Sequence, residues 1–296
     1  MAPQVCLVLT VQCCHCDHIT VHCRRRSPRL IPVSEQIERD ALAELHAAAS
    51  TSLRDALGLR AIENGDGLVS IASALPDSAI VVNRAMGLGL SAAMAEETVN
   101  EVVQSYRDAG IGRYFFQLHP EAAPGQIRDW LQRDGLIRAR GWQKFVRGVA
   151  PAPVVSCDLR LEKIGADRGT DFGRIVCNAF DLGDAAIPWL ARLPSRPEWH
   201  VFMSFDSDTP AGAGALFIRD GVAWSDFGAT DPVFRRRGSQ GALLACRIEF
   251  AMQAGCREIH TCTGEDVAGD PQHSYRNILK MGFRPTYVRD NYAPDR

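Results

Sequence analysis

A run of arginines followed by a glycine stands directly before a helix-like segment, at Arg235, Arg236, Arg237 and Gly238. The following segment has apolar residues spaced to fill one helix face. The first turn of a helix has backbone N–H groups without intrahelical partners and a partial positive charge. Glycine lets a ligand approach the backbone, and the arginines add charge at the same place. These residues indicate an anion site suited to phosphates, although a solvated basic turn has the same composition.

The order of the flanking elements favours the phosphate interpretation. A strand reading AWSDFGATD precedes Pro232, Arg235 and Gly238, and a helix follows. This order resembles the acetyl-CoA signature V-x-P-x-x-[RQ]-x-x-G-x-[GA] of the Gcn5-related N-acetyltransferases, with Thr230 in place of the valine. A later segment, SYRNILKMGFRPTYVRDNY, resembles the family's second motif, a helix that ends in Gly-Phe before the last strands. The resemblance covers about residues 171–292.

The resemblance implies an acyltransferase that uses acetyl-CoA as cosubstrate and needs no metal. One position departs from the signature, because Gln240 stands where the family has a second small residue. The residues that the resemblance assigns to acetyl-CoA binding are Gly228, Ala229, Thr230, Arg235, Arg236, Arg237, Gly238, Ser239, Gln240 and Gly241.

Acetyl transfer to an amine needs a neutral amine, although an alkylamine has a pKa of about 10.4 in water. It also needs a hydrogen-bond donor for the thioester oxygen, and a proton for the departing thiolate unless it leaves as the anion. The resemblance points to backbone N–H groups along residues 228–230 as the donor. Gly228 also suggests a bulge where the strand splays to admit the pantetheine arm.

The candidate base is Asp226, because members of the family often carry an acid on this strand. Strand alternation predicts that it shares a face with Gly228 and Thr230. A surface carboxylate paired with an arginine is the alternative. Glu265, at the end of the next strand, is the second candidate.

The candidate acid is less well specified. The family usually has a tyrosine four residues before the glycine of the Gly-Phe pair, and this chain has Ile278 there. Tyr275 lies one helical turn earlier and is the substitute, or else it is a packed aromatic residue.

The elements that position these residues follow the same order in both halves of the chain. The fold class expected is α+β, with two tandem acetyltransferase-like domains, each a mixed, mostly antiparallel twisted sheet flanked by helices. The boundaries expected are residues 1–30 for a disordered extension, 31–150 for a degenerate first copy and 151–296 for the catalytic copy, with a linker at APAP.

Local patterns predict the main elements of the first half. A helix is expected to begin with Ser34 as its N-cap, a strand to cover residues 79–82, and a pair of strands to close the half at LIRARGWQKFVRG. This half lacks an arginine–glycine loop. Its Gly87-x-Gly89-x-x-Ala92 matches a dinucleotide fingerprint only formally, and a loop or a wall of the substrate cleft is the preferred interpretation.

Composition excludes several classes of protein. The 296 residues carry a net charge of −2, and the arginines form one cluster, which argues against nucleic-acid binding. No apolar run reaches the roughly 18 residues of a membrane span. The scattered cysteines after residue 30 favour a reducing cytoplasm. Cys13, Cys16, His18 and His22 are spaced too closely for a zinc finger.

The acceptor expected is an amine of a small molecule or a peptide, and the protein is expected to be a monomer or homodimer. Acceptor contacts are expected around residues 180–199, and Trp189, Trp199 and Trp224 lie either in the core or at the cleft. A non-catalytic acyl-CoA-binding or interaction module is the alternative function, because the usual tyrosine is missing.

Overall fold

The computed structural model describes residues 31–270 and 272–295. The expectation of a disordered extension and the metal-like spacing in residues 1–30 lie outside the described residues.

Each half of the chain ends with the same series of elements, in which three strands are followed by helix, strand, helix and strand. The helices are α1 (Val33–Ala47), α2 (Thr51–Leu57), α3 (Glu96–Asp108), α4 (Ile127–Arg133), α5 (Gly169–Phe180), α6 (Ile187–Leu190), α7 (Ser239–Gln253) and α8 (His273–Lys280). The strands are β1 (Leu59–Asn64), β2 (Gly67–Ala72), β3 (Arg84–Met86), β4 (Phe115–Leu118), β5 (Leu136–Arg147), β6 (Arg160–Lys163), β7 (Trp199–Asp206), β8 (Thr209–Arg219), β9 (Val222–Thr230), β10 (Glu258–Gly264) and β11 (Arg284–Pro294).

Within the described residues, the strands form one mixed sheet in the order β1-β2-β3-β4-β11-β5-β10-β9-β8-β7-β6. Two neighbouring pairs are parallel, β3 with β4 and β9 with β10, and the others are antiparallel. These two pairs occupy equivalent places in the two halves. The mixed, mostly antiparallel sheet flanked by helices confirms the expected fold class.

The two halves exchange their last strands at the centre of this sheet. Strand β5 of the first half pairs with β10 of the second, and β11 of the second half pairs with β4 of the first. The exchanged strands also pair with each other over most of their length. The sheet therefore runs through both halves, which speaks against two halves that fold separately. The boundary at residue 150 stays a prediction.

The main hydrophobic core also draws on both halves. It joins the buried face of α1, with Ala41, Leu42 and Leu45, to α5 and to the inner side of strands β7–β9. A second core lies under α3 and α4, and a third lies between α7, α8 and the other face of the sheet. The middle of the sheet is thus covered on both faces. The side chains of the strands at which the two halves meet are therefore buried.

Three local expectations differ from the structure. Pro32 occupies the N-cap position of α1, and Ser34 lies inside the helix with its Oγ 2.8 Å from the hydroxyl of Tyr287. Residues 79–82 form a turn, in which the N–H of Val82 donates to Ala79 O at 3.0 Å. LIRARGWQKFVR is one long strand, because β10 and β11 pair along its two edges.

The glycines of the first half shape a loop between β3 and α3. Gly87 and Gly89 have φ of +75° and +76°. A Cβ at either would lie 2.9 Å from a backbone oxygen, that of Asp66 or of Ala123. Helix α3 begins only at Glu96, so these glycines serve close chain packing and do not open a helix as a dinucleotide site requires.

Candidate active site

Strand β9 separates from β10 in the middle of the sheet and opens a site there. The two strands pair in parallel only up to Trp224. Against β8, the register shifts so that Ala215 faces Asp226 and Ala213 faces Ala229. Phe227 and Gly228 thus form a bulge opposite a single residue, and Phe227 has a φ of +50°. The bulge expected at Gly228 is present.

The bulge changes which side chains share a face. Asp226 lies on the face of Trp224, whose Nε1 donates to Asp226 Oδ2 at 2.9 Å. A Cβ at Gly228 would instead lie 3.5 Å from Nη2 of Arg247 on α7, on the opposite face. The expectation of one shared face for Asp226 and Gly228 is therefore wrong, because the inserted residue interrupts strand alternation.

Arg247 is a buried residue that the sequence analysis did not single out. Its Nη1 donates to Ser225 Oγ at 2.7 Å and to Asp226 O at 3.0 Å, which holds the bulge open. Burial lowers the pKa of Arg247 to about 10. The available signal was an arginine inside the apolar stripe of α7, between Leu244 and Ile248.

The arginine–glycine loop approaches the N-terminus of α7 in a left-handed conformation. Gly238 has a φ of +83° and Arg236 a φ of +67°. A Cβ at Gly238 would lie 2.0 Å from the backbone oxygen of Ser156. Gly238 therefore lies against the backbone of the segment that precedes β6. The expectation from the sequence was that this glycine lets a ligand approach the backbone. Left-handed residues beside a helix N-terminus direct successive N–H groups toward one point, as an anion site requires.

The three arginines of this loop point in different directions. Arg235 and Arg236 line a groove along the start of α7. Arg237 instead pairs with Asp158 and Asp206, with nitrogen–oxygen distances of 2.8 and 2.9 Å. The hydrogen bonds to Asp206 and Asp158 raise the pKa of Arg237. Arg235 and Arg236 thus line the groove, whereas Arg237 ties the loop to Asp158 and Asp206.

The groove, here called the outer groove, has a volume of about 1120 Å³. It is lined by nine of the ten residues that the sequence analysis assigned to acetyl-CoA: Gly228, Ala229, Thr230, Arg235, Arg236, Gly238, Ser239, Gln240 and Gly241. Its other wall comes from α8 and from residues 153–156, which begin at the last residue of the expected linker. Ser239 is fixed there by a hydrogen bond of 2.8 Å between its Oγ and that of Ser204.

A smaller cavity, here called the inner cavity, lies behind the bulge and has a volume of about 280 Å³. The two spaces meet at Gly228, Gln240, Ser274 and Asn277, which line both of them. The position of Gln240 at this junction accounts for its departure from the small residue of the family signature. Its side chain accepts a hydrogen bond from Asn277 Nδ2 at 2.6 Å, and its Nε2 donates to Ser274 Oγ at 3.3 Å.

Of the three candidate catalytic residues, only Asp226 lines the inner cavity. Its Oδ1 accepts the N–H of Phe227 at 2.7 Å. Glu265 faces Arg138 at 3.7 Å and lines neither space. The ring of Tyr275 packs edge-to-face on Phe145, with centroids 5.0 Å apart, and lines neither space.

The first half of the chain supplies one wall of the inner cavity, which the sequence analysis missed. This wall consists of Glu38, Val81, Arg84 and Trp142. Glu38 stands on the apolar face of α1, three residues before Ala41, and a charged residue at such a position was the available signal.

The structure distinguishes the tryptophans and the residues of 180–199 that line the inner cavity from those that are buried in the core. Trp224 lines the inner cavity, whereas Trp189 and Trp199 are buried in the core. Phe180 is the one residue of 180–199 that lines the cavity.

Comparisons with known proteins find the fold among solved structures. A Gcn5-related N-acetyltransferase from Kribbella flavida matches with a TM-score of 0.59 and 15% identity, over 90% of this chain and 97% of that one. Another from Sphaerobacter thermophilus matches with a TM-score of 0.56 and 15% identity, over 90% and 93%. A putative acetyltransferase of this family from Novosphingobium aromaticivorans matches with a TM-score of 0.53 and 13% identity, over 88% and 97%. No protein-family model and no curated protein matches the sequence.

The chain therefore has the fold of the Gcn5-related N-acetyltransferases, as its motifs predict. The matches cover both halves, so the doubled arrangement is part of what is shared.

Residues 31–270 and 272–295 contain neither a candidate membrane span nor a candidate metal site. No helix there is long and apolar enough to cross a membrane. No group of at least three His, Cys, Asp or Glu side chains in that part of the chain is arranged to hold a metal ion.

Proposed function

We propose that this protein transfers an acetyl group from acetyl-CoA to a primary amine of a small molecule or peptide, by direct attack in a ternary complex. The observation that carries the proposal is the junction of the outer groove with the inner cavity. The arginine–glycine loop lines the outer groove, and the carboxylate of Asp226 lines the inner cavity. The bulged part of β9 lies between these two connected spaces. The names of the fold neighbours agree with an acyltransferase.

The residues of the outer groove fit a coenzyme A diphosphate. The N–H groups of residues 236–241 lie in a left-handed turn and in the first turn of α7, where the helix dipole favours an anion. Arg235 and Arg236 add positive charge on the same wall. When bound there, acetyl-CoA would supply the activated acetyl group.

The residues of the inner cavity fit the amine. Asp226 is a hydrogen-bond acceptor inside the cavity and is positioned to take the proton that the amine must lose. The bulge leaves Gly228 at the junction, where its N–H would serve as the donor that an oxyanion needs.

The usual tyrosine is replaced in the cavity wall by the apolar Ile278. Ser274 stands at the junction instead. Gln240 Nε2 donates to Ser274 Oγ, so the hydroxyl hydrogen of Ser274 is available for a sulfur atom. We assign Ser274 as the hydrogen-bond donor to the departing thiolate.

A turnover assay tests this function. The protein is incubated with acetyl-CoA and a panel of amines, the released thiol is followed, and acetylated products are identified by mass spectrometry. An amine-dependent release of thiol supports the proposal. Binding of acetyl-CoA without turnover on any amine would instead support the acyl-CoA-binding module.

The first half is proposed to serve as a wall of the acceptor cavity and to bind no acetyl-CoA itself. Its counterpart of the phosphate loop carries Gly87 and Gly89, which pack against the chain. Calorimetry should therefore give one acetyl-CoA per chain, and a stoichiometry of two would contradict this assignment.

A further inference from the structure

The inner cavity borders a cluster of buried charges that comes mainly from the first half. Glu38 of α1 is fully buried and receives hydrogen bonds from Arg84, Lys144 and Arg289. Glu35, one helical turn earlier, pairs with Arg289 at 3.0 Å. Burial raises the pKa of Glu38, but the charges of Arg289, Lys144 and Arg84 together hold it well below its usual value. The carboxylate of Glu38 is thus ionised and paired with these three cations.

The charges of this cluster do not balance. Its members are three cations, Arg84, Lys144 and Arg289, and two carboxylates, Glu35 and Glu38. Each side chain is at most 5% exposed. One positive charge is therefore in excess among side chains that water barely reaches, and an uncompensated buried charge is costly.

Arg84 is the cation of this cluster that lines the cavity. Its Nη1 donates to Glu38 and to Gln117 Oε1, the latter at 3.2 Å, and its guanidinium lies 5.2 Å from the ring centre of Trp142. Its Nε is buried and has no hydrogen-bond partner within the described residues. Lys144 and Arg289 do not line the cavity. Arg84 is therefore the group that presents the excess charge to a ligand.

Arg247 of α7 also lines the cavity, and its charge is offset by that of Asp226, which raises the pKa of Arg247 against the effect of burial. Asp226 is the carboxylate nearest to the bulge and is needed for the amine. The cavity thus has Asp226 for an amine, and Arg84 in its first-half wall is the lining residue that belongs to the cluster with one cation in excess.

We infer that the acceptor is a small molecule bearing a carboxylate besides its amine, such as an amino acid, and that Arg84 binds this carboxylate beside Trp142. The inference rests on the proposed function and specifies its substrate class. A cavity of about 280 Å³ is at the lower end of small-molecule sites, which favours a molecule of amino-acid size. Arg84 would act as a specificity-determining residue and Asp226 as the base.

The test compares compounds that share an amine and differ in the carboxylate. Phenylalanine, phenylalaninamide and phenethylamine form one set, and leucine and glycine with their amides and amines form two more. Rates are corrected for the fraction of neutral amine. In the wild-type protein, at least one acid should exceed its amide in kcat/KM by about tenfold or more, the worth of a charge-assisted hydrogen bond.

Arg84→Gln should abolish this preference while leaving the affinity for acetyl-CoA unchanged. Arg289→Gln is the matched control, because it removes the same charge from the same cluster but not from the cavity wall. Arg289→Gln should reduce the preference less than Arg84→Gln does, because the guanidinium that binds the carboxylate stays in the cavity wall. If either variant fails to fold, the wild-type comparison still decides.

Equal rates for acids and amides, or a preference that persists in Arg84→Gln, would overturn the inference. Acetylation confined to amines without a carboxylate would overturn it and leave the transferase function standing. Absence of turnover on every amine, with acetyl-CoA bound, would overturn both.

Discussion

Gly238 offers the sharpest test of the outer groove, because the structure gives it a matched partner at the other end of α7. Gly238 and Gly255 have φ of +83° and +77°. A Cβ at Gly238 would lie 2.0 Å from Ser156 O and 3.1 Å from Cys157 Cα. A Cβ at Gly255 would meet nothing within 4 Å. Alanine strains the backbone at both positions, but only at Gly238 must the loop also move.

The expected magnitudes follow from these geometries. Each alanine should cost about 1–2 kcal/mol of unfolding free energy, because an L-residue is disfavoured in the left-handed region. Gly238→Ala should cost more than this, because its Cβ would also meet Ser156 O. Gly238→Ala should in addition displace the N–H groups of residues 236–239 from the phosphates. Loss of two charge-assisted hydrogen bonds, each of about 1.5–3 kcal/mol, would weaken acetyl-CoA binding by about a hundredfold or more.

Urea denaturation and titration calorimetry measure the two effects separately. Gly255→Ala should lose stability and keep the wild-type Kd for acetyl-CoA, whereas Gly238→Ala should lose both. Equal Kd values in the two variants would show that the loop conformation at Gly238 does not organise the acetyl-CoA site.

Three other predictions concern the catalytic candidates and pH. Asp226→Asn should lower kcat by about 10²–10⁴ without changing acetyl-CoA affinity, and an unaltered pH–rate profile would assign the proton to another group. Tyr275→Phe should keep wild-type kcat, since its ring packs on Phe145 away from both spaces, and a tenfold or greater loss (about 1.4 kcal/mol) would restore it as the acid. Burial lowers the pKa of His46 to about 4, so between pH 6.5 and 4 the unfolded chain binds a proton that the folded chain does not. The stability that neutral His46 contributes above pH 6.5 is therefore lost as the pH falls. In urea denaturation, the free energy of unfolding of the wild type should fall by about 2 kcal/mol more than that of His46→Gln between pH 7.5 and pH 5.

Much of the second half was predictable because its signals are local. The strand at AWSDFGATD, the helix after Gly238 and the arginine–glycine loop between them match the expectations from the sequence, as β9, α7 and the turn that joins them. Hairpin turns, helix caps and apolar periodicity each involve neighbours in the chain. The bulge could be anticipated at Gly228, but its effect on the direction of Asp226 depends on how β8 pairs with it.

The rest depends on contacts that lie far apart in the sequence. No local pattern states that β5 pairs with β10 or β11 with β4, because strand periodicity specifies a face and not a partner. The cluster around Glu38 arises only after this exchange places Lys144 and Arg289 under α1. The contribution of the first half to the inner cavity was missed for the same reason.

Thiol release by the wild-type protein tests the central proposal most directly. With saturating acetyl-CoA, the initial rate is measured across the amine panel, and each product is examined by mass spectrometry. The account predicts amine-dependent release of coenzyme A in step with one acetylated product, and loss of both signals in Asp226→Asn. Acetyl-CoA binding with no amine-dependent release, or release that is equally fast in Asp226→Asn, would contradict it.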